Sequence, residues 1–364
     1  MTCFDYAARL ERVRLLMAAR GFDLLLLSVG ADLPYFTGYR AMPLERLTML
    51  VVPLDGPATL VVPGLEAPRV ALHPEAFEVR PWEETEDPAA LVAGLCGRPG
   101  RAAVGDSTWS VFLLALQGRL PDTAFVAASP LTRELRMRKE PDEIELLRRA
   151  GAAADRVVAR LDAHPFAGKS ERRLSAEISA MIVEEGHQEA AFSIVASGPH
   201  SASPHHEAGD RALAPGDAVV LDFGGRVGGY CSDITRTFFV GEPPRRFREV
   251  FAVVLAAQEA AVAAVAPGVP AQEVDAAARR VIAEAGFGPR FVHRTGHGIG
   301  LEEHEHPYLV EGNAEPLEVG MAFSIEPGVY LPGEFGVRIE DIVVVAGAGV
   351  DRLNRSPREL HQVG

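Results

Sequence analysis

From Thr295 to Pro307 the chain reads T-G-H-G-I-G-L-E-E-H-E-H-P, and few backbones can carry that string. Gly296, Gly298 and Gly300 alternate with other residues, and each would cost about 1 kcal/mol inside a helix, so a helix is excluded. His293 and His297 therefore do not share a helical face, despite their spacing. After His304-Glu305 a helical zinc motif needs its second histidine at position 308, which is Tyr308. The alternating glycines also fail the strand-to-helix G-x-G-x-x-G pattern of a phosphate cradle. What remains is an extended, glycine-bent segment that brings imidazoles close to another stretch of backbone.

A chain of 364 residues has room for two domains, and 48% hydrophobic with 24% charged residues is the composition of an ordinary soluble enzyme. The net charge of -14 argues against nucleic acid and anionic membrane surfaces as partners, and leaves room for carboxylates that bind cations. Cys3, Cys96 and Cys231 are odd in number and form no C-x-x-C, which points to a reduced, cytoplasmic setting. No signal peptide is evident, and the apolar run Leu24 to Leu27 is far too short to span a bilayer.

Residues 5–20 space their apolar side chains as a helix does and stop at Gly21. Strands are expected at 22–28, 47–53 and 59–63. Helices near 86–95 and 108–118 then alternate with strands near 77–80, 101–104 and 123–127. This first half, 1–132, reads as an α/β domain with no acid–histidine cluster, suited to recognition or oligomerisation. Ser129-Pro130 and the basic run Arg133 to Lys139 mark its boundary. Beyond it, 133–364 opens with a helix from Pro141 to about His164, its acids in the first turn. Further helices are expected at 170–185, 244–265 and 270–285, among strands and glycine-rich turns. This half reads as α+β.

Acids recur where acids are costly. Asp222 ends the strand 219–223, and the chain returns through 230–240 past Asp233, so a hairpin can bring the two together. Glu326 sits in M-A-F-S-I-E-P, and Glu340 in G-V-R-I-E-D-I-V-V-V. A carboxylate among such residues needs a partner or a metal. Four of them in one place would repel strongly. Two divalent cations would balance the four charges, with His297 as a fifth ligand. Oxygen-rich ligation with one imidazole suits Mn²⁺ or Co²⁺, with Zn²⁺ possible.

D-F-G-G, C-S-D, G-H-G-I-G-L-E-E-H-E-H-P, S-I-E-P-G-V-Y and G-V-R-I-E-D, in that order, resemble the pita-bread metallopeptidases. That group holds methionine aminopeptidases, Xaa-Pro aminopeptidases and Xaa-Pro dipeptidases (prolidases). The resemblance implies an α/β creatinase-like N-terminal domain followed by an α+β pita-bread catalytic domain. It implies Asp222 and Asp233 on one metal, Asp233 and Glu340 bridging, and His297 and Glu326 on the other. The implied reaction is attack of a metal-bridging hydroxide on the peptide carbonyl, with Glu326 handling the proton. His304 and His205 match family histidines that line the substrate's place. His200, His206, His293 and His306 have no assigned role. Arg338, two residues before Glu340, shares its face in an unbroken strand and would orient the carboxylates beside the substrate.

The N-terminal domain, with P-Y-F-T-G-Y at 34–39, resembles that of Xaa-Pro peptidases and implies proline-containing peptides as substrates and a homodimer. A dipeptidase needs a cation for the free carboxylate, best an arginine. Some prolidases carry one just after the H-E-x-P stretch, where this chain has Tyr308. Arg40 and Arg46 are the alternatives, with Arg46, just before a strand, the expected clamp. The reading is thus a prolidase, with an Xaa-Pro aminopeptidase as the alternative and an inactive binding module as the remote one.

Overall fold

The computed structural model describes residues 4–364, so Cys3 lies outside the described residues. The chain divides into two compact units, Met1–Arg136 and Met137–Gly364.

The first unit opens with α1 (Tyr6–Arg20), capped by the Asp5 carboxylate, which accepts from the Ala8 amide. The helix ends at Gly21, whose φ of 68° suits a residue without a Cβ. Then follow β1 (Leu24–Leu27), α2 (Asp32–Thr37), β2 (Met49–Pro53), β3 (Ala58–Pro63) and β4 (Phe77–Trp82). After them come α3 (Pro88–Cys96), β5 (Arg101–Val104), α4 (Ser110–Arg119), β6 (Ala124–Ala127) and α5 (Ser129–Met137). The sheet order is β4-β3-β2-β1-β5-β6. All four leucines of β1 are buried, as a central strand covered on both faces requires.

Two of these helices were not among the elements expected from the sequence. Residues 34–37 belong to α2, and the basic boundary segment is largely α5. Pro34 and Pro130 lie in the first turns of these helices, where a missing N–H is tolerated.

The second unit begins with α6 (Pro141–Leu161), closed by a capping box between Glu140 and Glu143. It continues through α7 (Glu171–Glu184), β7 (Glu189–Ser197), β8 (Ala218–Val227), β9 (Tyr230–Cys231) and β10 (Ile234–Val240). Next come α8 (Arg245–Ala263), α9 (Ala271–Glu284), β11 (Gly296–Gly298), β12 (Glu305–Leu309) and β13 (Ala322–Ile325). The chain finishes with β14 (Gly328–Leu331), β15 (Phe335–Arg338), β16 (Asp341–Ala346), β17 (Gly349–Arg352) and β18 (His361–Val363).

Two larger sheets result, ordered β18-β10-β8-β7, with β9 on β8, and β12-β11-β13-β16-β17; β14 and β15 form a separate hairpin. Leu161, Leu174 and Ile178 of α6 and α7 pack on Val219, Leu221 and Phe238 of the first sheet. Phe247, Val254, Val274 and Ile282 of α8 and α9 pack on Phe323, Ile325 and Val343 of the second. Each sheet thus has one face on helices, leaving other positions to build a site.

Candidate metal centre and substrate cavity

Both sheets contribute to a cavity of about 760 Å³, a volume suited to a small ligand. Asp222 projects from β8, whose hairpin with β10 sets Asp222 opposite Thr235 and places Asp233 immediately before β10. Glu326 directly follows β13, and Glu340 lies between β15 and β16. The sequence reading of one strand through 336–345 is therefore corrected. Arg338 pairs with Gly328 in the hairpin, whereas Asp341 pairs with Ile325 in the larger sheet. Glu340 occupies the switch between them, its amide donating to the Thr235 carbonyl at 3.1 Å.

The glycines flanking His297 are there for close approach. A Cβ on Gly296 would stand 1.9 Å from the Ser324 carbonyl oxygen, and one on Gly298 would stand 2.1 Å from that of His306. Only a bare Cα fits between those backbones. The imidazole is oriented in turn by its own strand: Nδ1 donates to the Gly298 carbonyl at 3.1 Å. Nε2 is thereby left facing Glu326 Oε1 at 3.3 Å and Asp233 Oδ2 at 3.8 Å.

Ligand atoms of Asp222, Asp233 and Glu340 lie within 4.8 Å of one another, as do those of His297, Glu326 and Glu340, and those of Asp233, His297 and His304. Asp233, His297 and Glu340 each belong to two of these sets. Burial, then repulsion from Glu340, Asp222 and Glu326, pushes the Asp233 carboxyl well above its ordinary range. Burial and repulsion from Glu326 and Asp222 do the same to Glu340. Burial also raises Glu326, but its contact with His297 outweighs that and takes it down to about 2. Asp222 Oδ1 and Asp233 Oδ1 are buried without any hydrogen-bond partner. Two orphaned carboxylate oxygens in one buried cluster are what hard divalent cations satisfy, so the donor set fits such ions.

Arg338 is the buried cation among these acids, 2% exposed. Its Nη2 donates to Asp222 Oδ2 at 2.5 Å, Nε to Thr235 Oγ1 at 3.0 Å, and Nη1 to the Tyr330 hydroxyl at 3.0 Å. Thr235 Oγ1 donates in turn to Glu340 at 2.7 Å. His293, left without a role in the sequence, joins this network: Nδ1 donates to the Arg294 carbonyl, and Nε2 accepts from the Tyr330 hydroxyl at 2.8 Å. Thr235, Tyr330 and Arg294 also escaped the sequence reading. Arg294 alone left a trace there, a cation set directly before Thr-Gly-His.

His205 and His304 line the same cavity, both exposed toward it. The His304 ring lies 3.8 Å from that of His297, tilted by 40°. Loss of water around it, then the charges of His297 and Arg294, pulls it down to about 4. The loop bearing His205 is pinned on both sides by Glu171. That carboxylate accepts from the Ser197 amide and hydroxyl, His200, His206 and the Gly209 amide, at 2.6–3.1 Å. Burial raises Glu171, but these donors prevail and hold it at about 2. The His306 ring packs against that of Tyr308 at 4.6 Å, tilted by 52°.

Arg46 lies in the first unit, where its guanidinium pairs with Glu45 at 2.7 Å and Glu84 at 2.8 Å. No helix among the described residues is long and apolar enough to cross a membrane.

Comparison with known proteins gives the family and the two domains. Residues 145–346 match the model of metallopeptidase family M24, a metal-dependent family, and residues 9–138 match the creatinase/prolidase N-terminal domain. The chain is 48% identical over 363 residues to a probable dipeptidase PepE of Mycobacterium tuberculosis, spanning 98% of this chain and 96% of that one. It is similar to the crystal structure of a prolidase from Thermococcus sibiricus, with a TM-score of 0.95, 38% identity and full coverage of both chains. An X-Pro aminopeptidase from Thermotoga maritima is similar over 97% of this chain and 100% of its own, with a TM-score of 0.84 and 31% identity. The chain belongs to metallopeptidase family M24, as a peptidase that couples a creatinase-type N-terminal domain to a pita-bread catalytic domain.

Proposed function

We propose that the protein is an Xaa-Pro dipeptidase whose Asp222, Asp233, His297, Glu326 and Glu340 hold two divalent cations. The observation that carries this reading is the buried carboxylate cluster, with its two orphaned oxygens, opening on a small-ligand cavity. Relatives named dipeptidase and prolidase support the substrate class. When bound, the cations supply a water acidic enough to ionise near neutral pH and polarise the scissile carbonyl.

The chain's own residues do the rest. Glu326, kept as a carboxylate, takes the proton of the attacking water and hands it to the proline nitrogen. His304 and His205, at the open side, contact the peptide beside the scissile bond. Phe192 and Ile194 line the same cavity and offer an apolar bed for the pyrrolidine ring. Arg338 fixes the Asp222 carboxylate, so the ligand set is oriented before ions arrive. Oxygen-rich donors with one imidazole favour Mn²⁺, with Co²⁺ or Zn²⁺ as substitutes.

The test is hydrolysis of a Xaa-Pro dipeptide beside a Xaa-Pro-Xaa tripeptide, by metal-stripped protein with and without Mn²⁺. Dipeptide cleavage that is faster and metal-dependent is expected. Tripeptide preference establishes the second reading, an Xaa-Pro aminopeptidase, which the similarity to the Thermotoga structure favours. No cleavage of either leaves the inactive binding module.

The expected homodimer has a candidate face in the first unit. Trp109, Val111 and Leu114, at the start of α4 and along it, are 42%, 59% and 64% exposed, and Trp109 stacks on Phe112 at 6.0 Å. Apolar side chains grouped this way mark association surfaces. Val111→Glu with Leu114→Glu is expected to give a monomer in sedimentation with an unchanged far-ultraviolet circular dichroism spectrum. A dimer that survives both charges does not use this face. Cys96 and Cys231, both free and buried, support a reducing, cytoplasmic location.

A further inference from the structure

We propose that Glu171, His200 and His206 form a site for one Zn²⁺ ion, apart from the acid cluster, that ties α7 to the loop carrying His205. The inference stands independently of the Xaa-Pro dipeptidase reading, because none of the three residues lines the substrate cavity.

Glu171 is the first residue of α7 and is fully buried, whereas His200 and His206 come from the connection between β7 and β8. Ligand atoms of the three lie within 4.8 Å of one another. Glu171 Oε2 is their common point, with His200 Nδ1 at 3.2 Å and His206 Nε2 at 2.8 Å. The two imidazole rings are 4.4 Å apart and tilted by 38°. A tetrahedral zinc ion with bonds of about 2.0–2.1 Å to nitrogen and oxygen sets its ligand atoms about 3.3 Å apart. Both N–O distances thus need to open by no more than about half an ångström to admit it. Each neutral imidazole offers its lone pair by carrying its proton on the other ring nitrogen, so no net proton is lost.

The surroundings suit an ion. Without either imidazole, Glu171 still accepts from the Ser197 amide and hydroxyl at 2.9 and 2.6 Å and from the Gly209 amide at 3.1 Å. Those donors keep the carboxylate oriented when the two histidines turn to a metal. The His200 side chain is 42% exposed while that of Glu171 is 0% exposed, so the group opens to water on one side. That opening gives an ion its entry and a fourth position for a water molecule. Two imidazoles and one carboxylate with an open position are a zinc donor set. The oxygen-rich acid cluster suits Mn²⁺ instead, so ligand softness keeps the two sites distinct. The same connection is tied at its other side, where the Gly336 amide donates to Ser201 Oγ at 2.8 Å and Arg338 Nη1 to the Pro204 carbonyl at 3.3 Å. Zinc at Glu171 would complete a bracket around His205, holding His206 after it as Arg338 holds Pro204 before it.

The experiment equilibrates full-length, Mn²⁺-loaded protein with Zn²⁺, removes loose ions by gel filtration, and counts manganese and zinc per chain by plasma mass spectrometry. Wild type is compared with the double variant His200→Asn, His206→Gln. Asparagine at 200 and glutamine at 206 keep an N–H near the Nδ1 and Nε2 positions, so the contacts to Glu171 survive while the ligands are lost. Wild type is expected to hold one more Zn²⁺ per chain than the variant, with manganese unchanged in both. Co²⁺ in place of Zn²⁺ should give wild type the strong visible absorption of a four-coordinate ion, which the variant lacks. Equal zinc in the two proteins overturns the site and leaves the cluster as a hydrogen-bonded pin. Zinc gained only at the expense of manganese, in both proteins, belongs to the acid cluster and overturns it equally. Should circular dichroism show the double variant unfolded, His200→Asn alone is counted, and zinc equal to wild type again overturns the site. Protein that takes up no Mn²⁺ yet holds the extra Zn²⁺ in wild type supports this site, while the metal reading of the acid cluster fails.

Discussion

On the proposed reading of Asp233 as a metal ligand, Asp233→Asn is expected to lower kcat/KM by roughly 10³-fold or more, since a ligand to catalytic cations supplies several kcal/mol of transition-state stabilisation. The same substitution should raise the melting temperature of the metal-free protein. Asp233 is 4% exposed, and burial and three neighbouring acids hold its carboxyl well above the ordinary range. A folded-state pKa above the unfolded one contributes stability at low pH, and that contribution is lost as pH rises through the folded value. At pH 8 the cation-free fold therefore carries the cost of keeping this carboxyl where it ionises less readily than in the unfolded chain, and Asn removes that cost. The gain should be largest at pH 8 and vanish near pH 4. With Mn²⁺ at 100 times its Kd the order reverses, because ions bound only to the folded wild type add about 2.7 kcal/mol. Melting curves in chelator and in Mn²⁺, each at pH 5 and 8, read all four states. If Asn melts below wild type in chelator at pH 8, Asp233 is held by protein hydrogen bonds, and the metal assignment fails.

Arg338→Leu is expected to act in the opposite direction, destabilising the protein by about 3–5 kcal/mol, the cost of breaking a buried ion pair from one side. Asp222, Thr235 and Tyr330 would all lose the donor they now share. Arg338→Lys should recover only part of this, because an ammonium cannot reproduce a planar fork that meets three oxygens at once. Urea midpoints in chelator, with activity measured at saturating Mn²⁺, separate folding from function. A leucine variant as stable as wild type would show that Arg338 does not offset the acid cluster.

Much of the architecture is legible from local signals. Gly21 stops α1, and Glu140-Pro141 with Glu143 opens α6, because such caps act through neighbouring atoms alone. The acids and His297 stand out for a related reason: a carboxylate amid apolar residues, or an imidazole between glycines, needs a partner whatever the fold. Thr235, Tyr330 and Arg294 carry no such signal. A threonine in a strand or an arginine before a turn has ordinary explanations, and only the meeting of β8, β10, β14 and β15 gives Arg338 its hydroxyl partners. The break at Glu340 was invisible because G-V-R-I-E-D-I-V-V-V satisfies strand propensity throughout; what divides it is that its two ends pair with different neighbours.

The parallel pairing of β18 with β10 bears on when activity can arise during synthesis. The Asp222–Asp233 hairpin is local and can form early. Its sheet, however, gains its last strand only after residues 361–363 have left the ribosome, long after Glu340 has emerged. A nascent chain that has passed Asp233 alone holds two of the five proposed ligand residues on an unfinished sheet. Hydrolytic competence is therefore a late event, and stalled or truncated translation products would accumulate as inert protein rather than as loose peptidase.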